Sequence, residues 1–191
     1  MITRLRKEQI KQLAKLHKNE LSGFLPELGE KFLEMFYRTS LDLPEMFTFI
    51  EEEKGKVRGF VSNITNSKGL NKKIFIKRPL RFLLIFLKYF ISHPGQLRKF
   101  FTILTYPGFK EGGAELLSIA VDRNYRLKGR GRRLFEKSRE EFSLRGIKTF
   151  KISVYERLPA NGFYKKIGCR LVDSFDFMGE KMNYYEYKIK N

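Results

Sequence analysis

Leu117-Ser-Ile-Ala-Val-Asp-Arg-Asn-Tyr-Arg-Leu-Lys-Gly-Arg-Gly-Arg-Arg133 is the stretch from which the fold can be argued. It continues an apolar run, Leu116 to Val121, that predicts a buried strand. The chain then turns through a basic loop carrying Gly129 and Gly131, and a helix is predicted from about Gly131 to Arg145. A strand, a glycine loop and a helix start form an anion site. Unpaired backbone N–H groups converge there, and the helix dipole favours negative charge. Gly129 and Gly131 are both expected to reach φ > 0 and to leave no Cβ in a ligand's way. Residues 123–133 hold six Arg or Lys and no acid, the outline of a phosphate cradle. Neither Gly-x4-Gly-Lys-Ser/Thr nor Gly-x-Gly-x-x-Gly occurs; the pattern is Arg126-x-x-Gly129-x-Gly131.

The chain of 191 residues suits one domain, residues 1–191, with enough length for a proper core. Hydrophobic content of 42% and charged content of 31% belong to a globular rather than a disordered chain. The single cysteine, Cys169, excludes an internal disulfide and fits a reducing, cytoplasmic setting. Met1 to Glu8 has no apolar segment of the secretory type. Net charge is +18, and residues 54–110 account for +13 of it, with 13 Lys/Arg and no acid. That placement points to a polyanionic acceptor, nucleic acid or an anionic membrane surface, with simple solubility as the plain alternative.

Working outward, apolar residues at three-to-four spacing predict a helix over 8–20 and another from Leu28 to Tyr37. His17, in the first, reads as a packed helix histidine. Phe47–Ile50 and Val57–Val61 predict a hairpin around Gly55. After the Gly loop, Leu134, Phe135, Ser138 and Phe142 mark a buried stripe, and Gly146 is a helix stop. Phe150, Ile152 and Val154 alternate as a strand; residues 160–167 read as a short helix; Leu171–Phe177 and Tyr184–Ile189 form a last hairpin.

Residues 65–112 stand apart as a basic, apolar insert. Two helices joined at His93-Pro94-Gly95 are expected there, the first apolar nearly all round and the second over about 97–106. The run from Phe82 to Ile91 is too short to span a bilayer, which takes about 20 apolar residues. A helix apolar all round must be covered. The sheet, a homodimer partner, an interfacial membrane contact and an acceptor lid all stay open. His93 reads as a loop residue.

A second motif, Ala160-Asn-Gly-Phe-Tyr-Lys-Lys-Ile-Gly-Cys169, places Tyr164 33 residues after Gly131. The pair resembles the two cofactor motifs of the GNAT superfamily of N-acetyltransferases: Arg/Gln-x-x-Gly-x-Gly/Ala after a strand, then Ala-x-x-Phe-Tyr-x-x-x-Gly-Phe. The likeness is loose over 1–61, good over 115–189, and leaves the insert out. It implies an α/β GNAT fold, a mixed and mostly antiparallel sheet flanked by helices, with acetyl-CoA as the acetyl donor, no metal, and a primary amine as acceptor. The acceptor could be a small molecule, an amino sugar or a protein amine. On this resemblance the cofactor residues are Ile119, Ala120, Val121, Arg126, Leu127, Lys128, Gly129, Arg130, Gly131, Arg132, Asn161 and Phe163. The amide of Ala120 or Val121 would face the thioester oxygen, Tyr164 would be the acid beside sulfur, and Glu115 the base, with Asp122 and Glu111 in reserve. Three positions depart from the family: Leu127 stands for a frequent Gly, Arg157 for a frequent Asn, and Cys169 for Phe. Cys169 is not expected to act as a nucleophile. The competing class is a non-enzymatic module binding nucleic acid or an anionic membrane through 54–110; it leaves both cofactor motifs to chance.

Overall fold

The computed structural model describes residues 1–96, 112–177 and 179–190. In chain order its strands are β1 Ile2–Arg4, β2 Met46–Glu53, β3 Lys56–Ile64, β4 Glu115–Val121, β5 Thr149–Tyr155, β6 Arg170–Phe177 and β7 Glu180–Lys188. Its α-helices, numbered here over the described residues, are α1 Ile10–Glu20, α2 Phe24–Glu27, α3 Glu30–Ser40, α4 Leu70–Lys77, α5 Pro79–Ser92, α6 Arg130–Leu144 and α7 Ala160–Lys166. One seven-stranded sheet runs β1-β2-β3-β4-β5-β7-β6. Neighbours are antiparallel except β4 and β5, which run parallel. The expected mixed, mostly antiparallel α/β architecture is what forms. The short β1, against Phe49–Glu51 of β2, had no alternation to announce it.

Strand alternation sends residues to two cores. Ile50, Phe60 and Ala120 meet Leu13, Phe32 and Leu33 of α1 and α3 on one face. Phe49, Val61, Leu116 and Ile152 meet Leu134, Phe135 and Phe142 of α6 on the other. The predicted stripe of α6 is buried in full. The helix stops where expected: Gly146 is left-handed at φ 73. The N–H of Ile147 returns to the Phe142 carbonyl, which closes the last turn.

The insert leaves β3 and rejoins β4, its base tied by Ser67 N–H to the Gly113 carbonyl at 2.9 Å. It begins with α4, of which only Ile74 is buried. α5 follows, started by Pro79, whose missing N–H costs nothing at a first helical position. The expected second helix at 97–106 lies outside the described residues. Phe82 is fully buried and packs on Phe32 of α3, with Phe75 and Phe86 beside it. Coverage of α5 is nevertheless one-sided, contrary to the expectation for a helix apolar all round: Leu80, Leu83, Leu84, Leu87 and Ile91 face outward. Among the described residues no helix is long and apolar enough to cross a membrane.

Candidate active site

Parallel β4 and β5 are paired at Glu115↔Lys151, and no further pairing joins them along their length. They part toward their C-termini as a fork, and the edge of β4 facing β5 is the part of the sheet left open there. Which backbone groups look into it can be counted. The Ala114 carbonyl accepts from Lys151 N–H, so Ala114 faces β5. Counting by twos, Ala120 would face it as well. A bulge intervenes: Ser62 pairs with Ser118 but Asn63 with Leu116, leaving Leu117 as an extra residue. Beyond it, Asp122 N–H donates to the Arg58 carbonyl of β3, which sets the phase. Ala120 therefore turns to β3, while Ile119 and Val121 present their amides to the fork. Of the two sequence-based candidates for the oxyanion donor, Ala120 is corrected: its N–H belongs to the β3 ladder.

At the mouth of the fork, Asp122 caps a short turn and the chain enters α6. Gly129 precedes the helix in the left-handed region at φ 71, and no side chain caps α6. The leading amides, Gly129 to Arg132, thus lack helix partners. Gly131 does not have the positive φ expected of it; it lies in the helix's first turn. An added Cβ there would sit 3.5 Å from the Phe163 ring, an ordinary contact, so Gly131 lies beside that ring without being required by it. Phe163 of α7, following β5, thereby closes on the start of α6, following β4. The other left-handed residue of the loop is Leu127, at φ 62 and fully exposed. A side chain in that region costs about 1–2 kcal/mol, partly offset by the extra freedom glycine adds to the unfolded chain. Leu127→Gly is therefore expected to raise stability by about 0.5–1 kcal/mol, read as a higher urea midpoint at unchanged slope.

The six loop cations are not a free positive cradle, because acids from elsewhere in the chain reach them. Glu20, at the end of α1, takes Arg123 at 3.2 Å and Arg126 at 2.6 Å. Arg126 also donates to the Val121 carbonyl. Buried Glu51 of β2 takes Arg130 at 3.2 Å and Arg133 at 2.6 Å, and Glu53 takes Arg130 at 2.9 Å. Lys128 and Arg130 lie over the Tyr125 ring. Arg132 has no ion pair among the described residues. Glu20, Glu51 and Glu53 escaped the sequence reading; only the acidic run Glu51–Glu53 at a strand end hinted at them.

Tyr164 of α7 is 5% exposed, against Phe163 and Tyr185, and its hydroxyl makes no hydrogen bond among the described residues. Burial, with Cys169 adding to it, pushes the phenol well above its ordinary range. Glu115 stands at the closed end of the fork, 3.5 Å from Lys151 of β5. Burial raises its carboxyl above the usual range, against the downward pull of Lys151 and Ser67. Lys151 and Ser67 were missed, having no spacing relation to Glu115.

The other candidates are placed elsewhere. Asn161 donates to the carbonyls of Tyr155, Glu156 and Leu158 and accepts from Asn183 and Tyr185. Its side chain is spent on stitching α7 to β5 and β7. Asp122 is held by Arg58 at 3.1 Å, and Glu111 lies outside the described residues. Arg157 pairs with Glu180 over the Tyr155 ring. Cys169 is buried, its thiol pushed up to about 12, so thiolate is scarce at neutral pH. His17 is the packed residue expected, and His93 stacks on Tyr89 at a helix end.

The acetyltransferase (GNAT) family profile matches residues 11–169, more than half of the chain and both ends of this fork. The chain belongs to the GNAT family of acetyltransferases. Solved GNAT structures share its fold at low identity. The ribosomal-protein-S18-alanine N-acetyltransferase of Escherichia coli is 16% identical with a TM-score of 0.62, covering 100% of this chain and 94% of that one. An aminoglycoside 6'-N-acetyltransferase complexed with coenzyme A is 14% identical with a TM-score of 0.65, over 100% and 98%. PaiA N-acetyltransferase of Thermoplasma acidophilum, also in complex with coenzyme A, is 13% identical with a TM-score of 0.60, over 98% of each chain. Curated protein sequences give no significant match.

Proposed function

We propose that this GNAT protein transfers the acetyl group of acetyl-CoA to a primary amine by direct attack in a ternary complex. The observation that carries this reading is the β4/β5 fork, with two unpaired β4 amides inside it and an uncapped helix start at its mouth. The residues fit a bound CoA. The amides of Gly129 to Arg132 suit a pyrophosphate, and Lys128 and Arg132 are the loop cations without an ion pair among the described residues. The fork amides of Ile119 and Val121 suit the thioester carbonyl and a pantetheine amide. Bound acetyl-CoA supplies the activated acyl carbon and a thiolate leaving group.

The chain's own groups supply the rest. The Ile119 amide holds negative charge on the carbonyl oxygen, an effect worth roughly 3–4 kcal/mol when the donor is preorganised. Tyr164, which keeps its proton through burial, donates to sulfur as charge develops there. Glu115, with its carboxyl shifted toward neutrality, receives the ammonium proton. Four steps of strand take Glu115 to Ile119, about 13 Å at the usual rise, so the proton travels along a short chain of waters rather than directly. Asn161 and Phe163 act on the cofactor through placement: Asn161 anchors α7, and Phe163 walls the start of α6. A free thiol at Cys169 agrees with a cytoplasmic setting.

Calorimetric titration with CoA, followed by an acetylation assay over a panel of primary amines, tests this. Gly129→Val forces a branched side chain into the left-handed region and is expected to weaken CoA about tenfold while the fold survives. Normal CoA affinity in that variant removes the loop from the site; no CoA binding by the wild type removes the proposal.

A further inference from the structure

α5 carries two apolar faces. Phe82, Ile85, Phe86 and Tyr89 turn to the core. Leu80, Leu83, Leu84, Leu87 and Ile91, related by three- and four-residue spacings, form a second stripe, about 100° wide, on the opposite side. Their exposures include 73% at Leu80, 66% at Leu84 and 82% at Ile91. Ile76 of the preceding α4 is exposed as well, at 64%. Exposed Lys72, Arg81 and Lys88 flank it without an ion pair among the described residues, and residues 54–96 contain no acid. A contiguous exposed apolar stripe rimmed by cations is the signature of an interaction surface.

We propose that this face of α5 docks on an anionic lipid surface. Leucine side chains enter the acyl boundary while Arg81, Lys88 and Lys72 meet lipid phosphates, the arrangement of an interfacial helix. A second copy of the chain would bring the same cations against themselves, which charge repulsion opposes. RNA would satisfy the cations and leave the leucines in water. With 14 residues, α5 is too short to span a bilayer, so it lies in the interface. The insert is rooted at Ser67 and Gly113, beside Glu115, at the opposite end of β4 from the Gly129 loop. Docking there leaves the loop open. Lipid docking by α5 requires neither acyl transfer nor bound CoA.

The test is co-sedimentation of the full chain with vesicles. Partition into phosphatidylcholine vesicles containing about one-third phosphatidylglycerol is expected, and none into phosphatidylcholine alone. The lipid concentration for half-binding should rise at least about tenfold in Leu84→Gln/Leu87→Gln, and likewise in Arg81→Gln/Lys88→Gln. Both pairs are exposed, so melting temperatures should stay near wild type. Absence of partition at low salt overturns the proposal. So does vesicle binding that survives the leucine pair, since charge alone would then account for it. Without vesicle binding, RNA retention indifferent to the leucines, or a solution dimer broken by the leucine pair, assigns the face to those partners instead.

Discussion

Replacing Tyr164 by Phe is expected to lower kcat by about 100-fold or more while CoA affinity stays near wild type. The ring contacts with Phe163 and Tyr185, at centroid distances of 5.4 and 5.8 Å, need no hydroxyl, so the fold should hold. Only the donor to sulfur is removed. Stopped-time assays at saturating amine, with calorimetry on the same preparation, separate the two effects. An unchanged kcat rejects the acid role, and an equal loss of CoA affinity makes Tyr164 a packing residue. Glu115→Gln is the companion: the acid limb of the kcat/KM profile, set above the usual carboxylate range by burial, should vanish.

Below neutral pH the protein is expected to lose stability through His17, by roughly 3 kcal/mol at full effect. The ring is 2% exposed, stacks on Phe60 and shares a hydrogen bond of 2.6 Å with the Tyr37 hydroxyl, and burial lowers its pKa to about 4. The unfolded chain takes up this proton near pH 6.5, the folded chain only near 4. The contribution is therefore complete above pH 6.5, is lost as pH falls through the window, and levels off below 4. Urea midpoints for wild type and His17→Gln at pH 7 and pH 4 check it. The gap between them should narrow toward acid, because only wild type carries the titrating group. A gap independent of pH sinks the assignment, whatever the other carboxylates do.

The elements were legible where the residues are periodic and locally closed. The stripe Leu134, Phe135, Ser138, Phe142 with Gly146 after it marks a helix because packing and stop both lie within one turn of their causes. β1 was not legible, since three residues carry no alternation and depend on β2 for their bonds. α4 was missed for a related reason: in the described residues only Ile74 of that helix is buried, too little to show a period. In the site, Gly129 was read correctly because left-handed backbone is a local property of the loop. Gly131 differs, since the helix starts one residue before it and holds it in ordinary helical backbone.

By itself the sequence determined a strand, a left-handed glycine and a helix start in that order, and a tyrosine on a later helix. It also determined a strongly basic insert. These follow from local backbone preference and hydrophobic period, which neighbours along the chain suffice to express. Tertiary structure alone decided which amides face the fork, because the extra residue at Leu117 becomes a bulge only when β4 pairs with β3. It alone decided the electrostatics of the loop, where Glu20, Glu51 and Glu53 arrive from far along the chain and pair with four of the six cations. The donors left for an anion are Lys128, Arg132 and the backbone amides of a helix start, and the direction of those amides is fixed by folding.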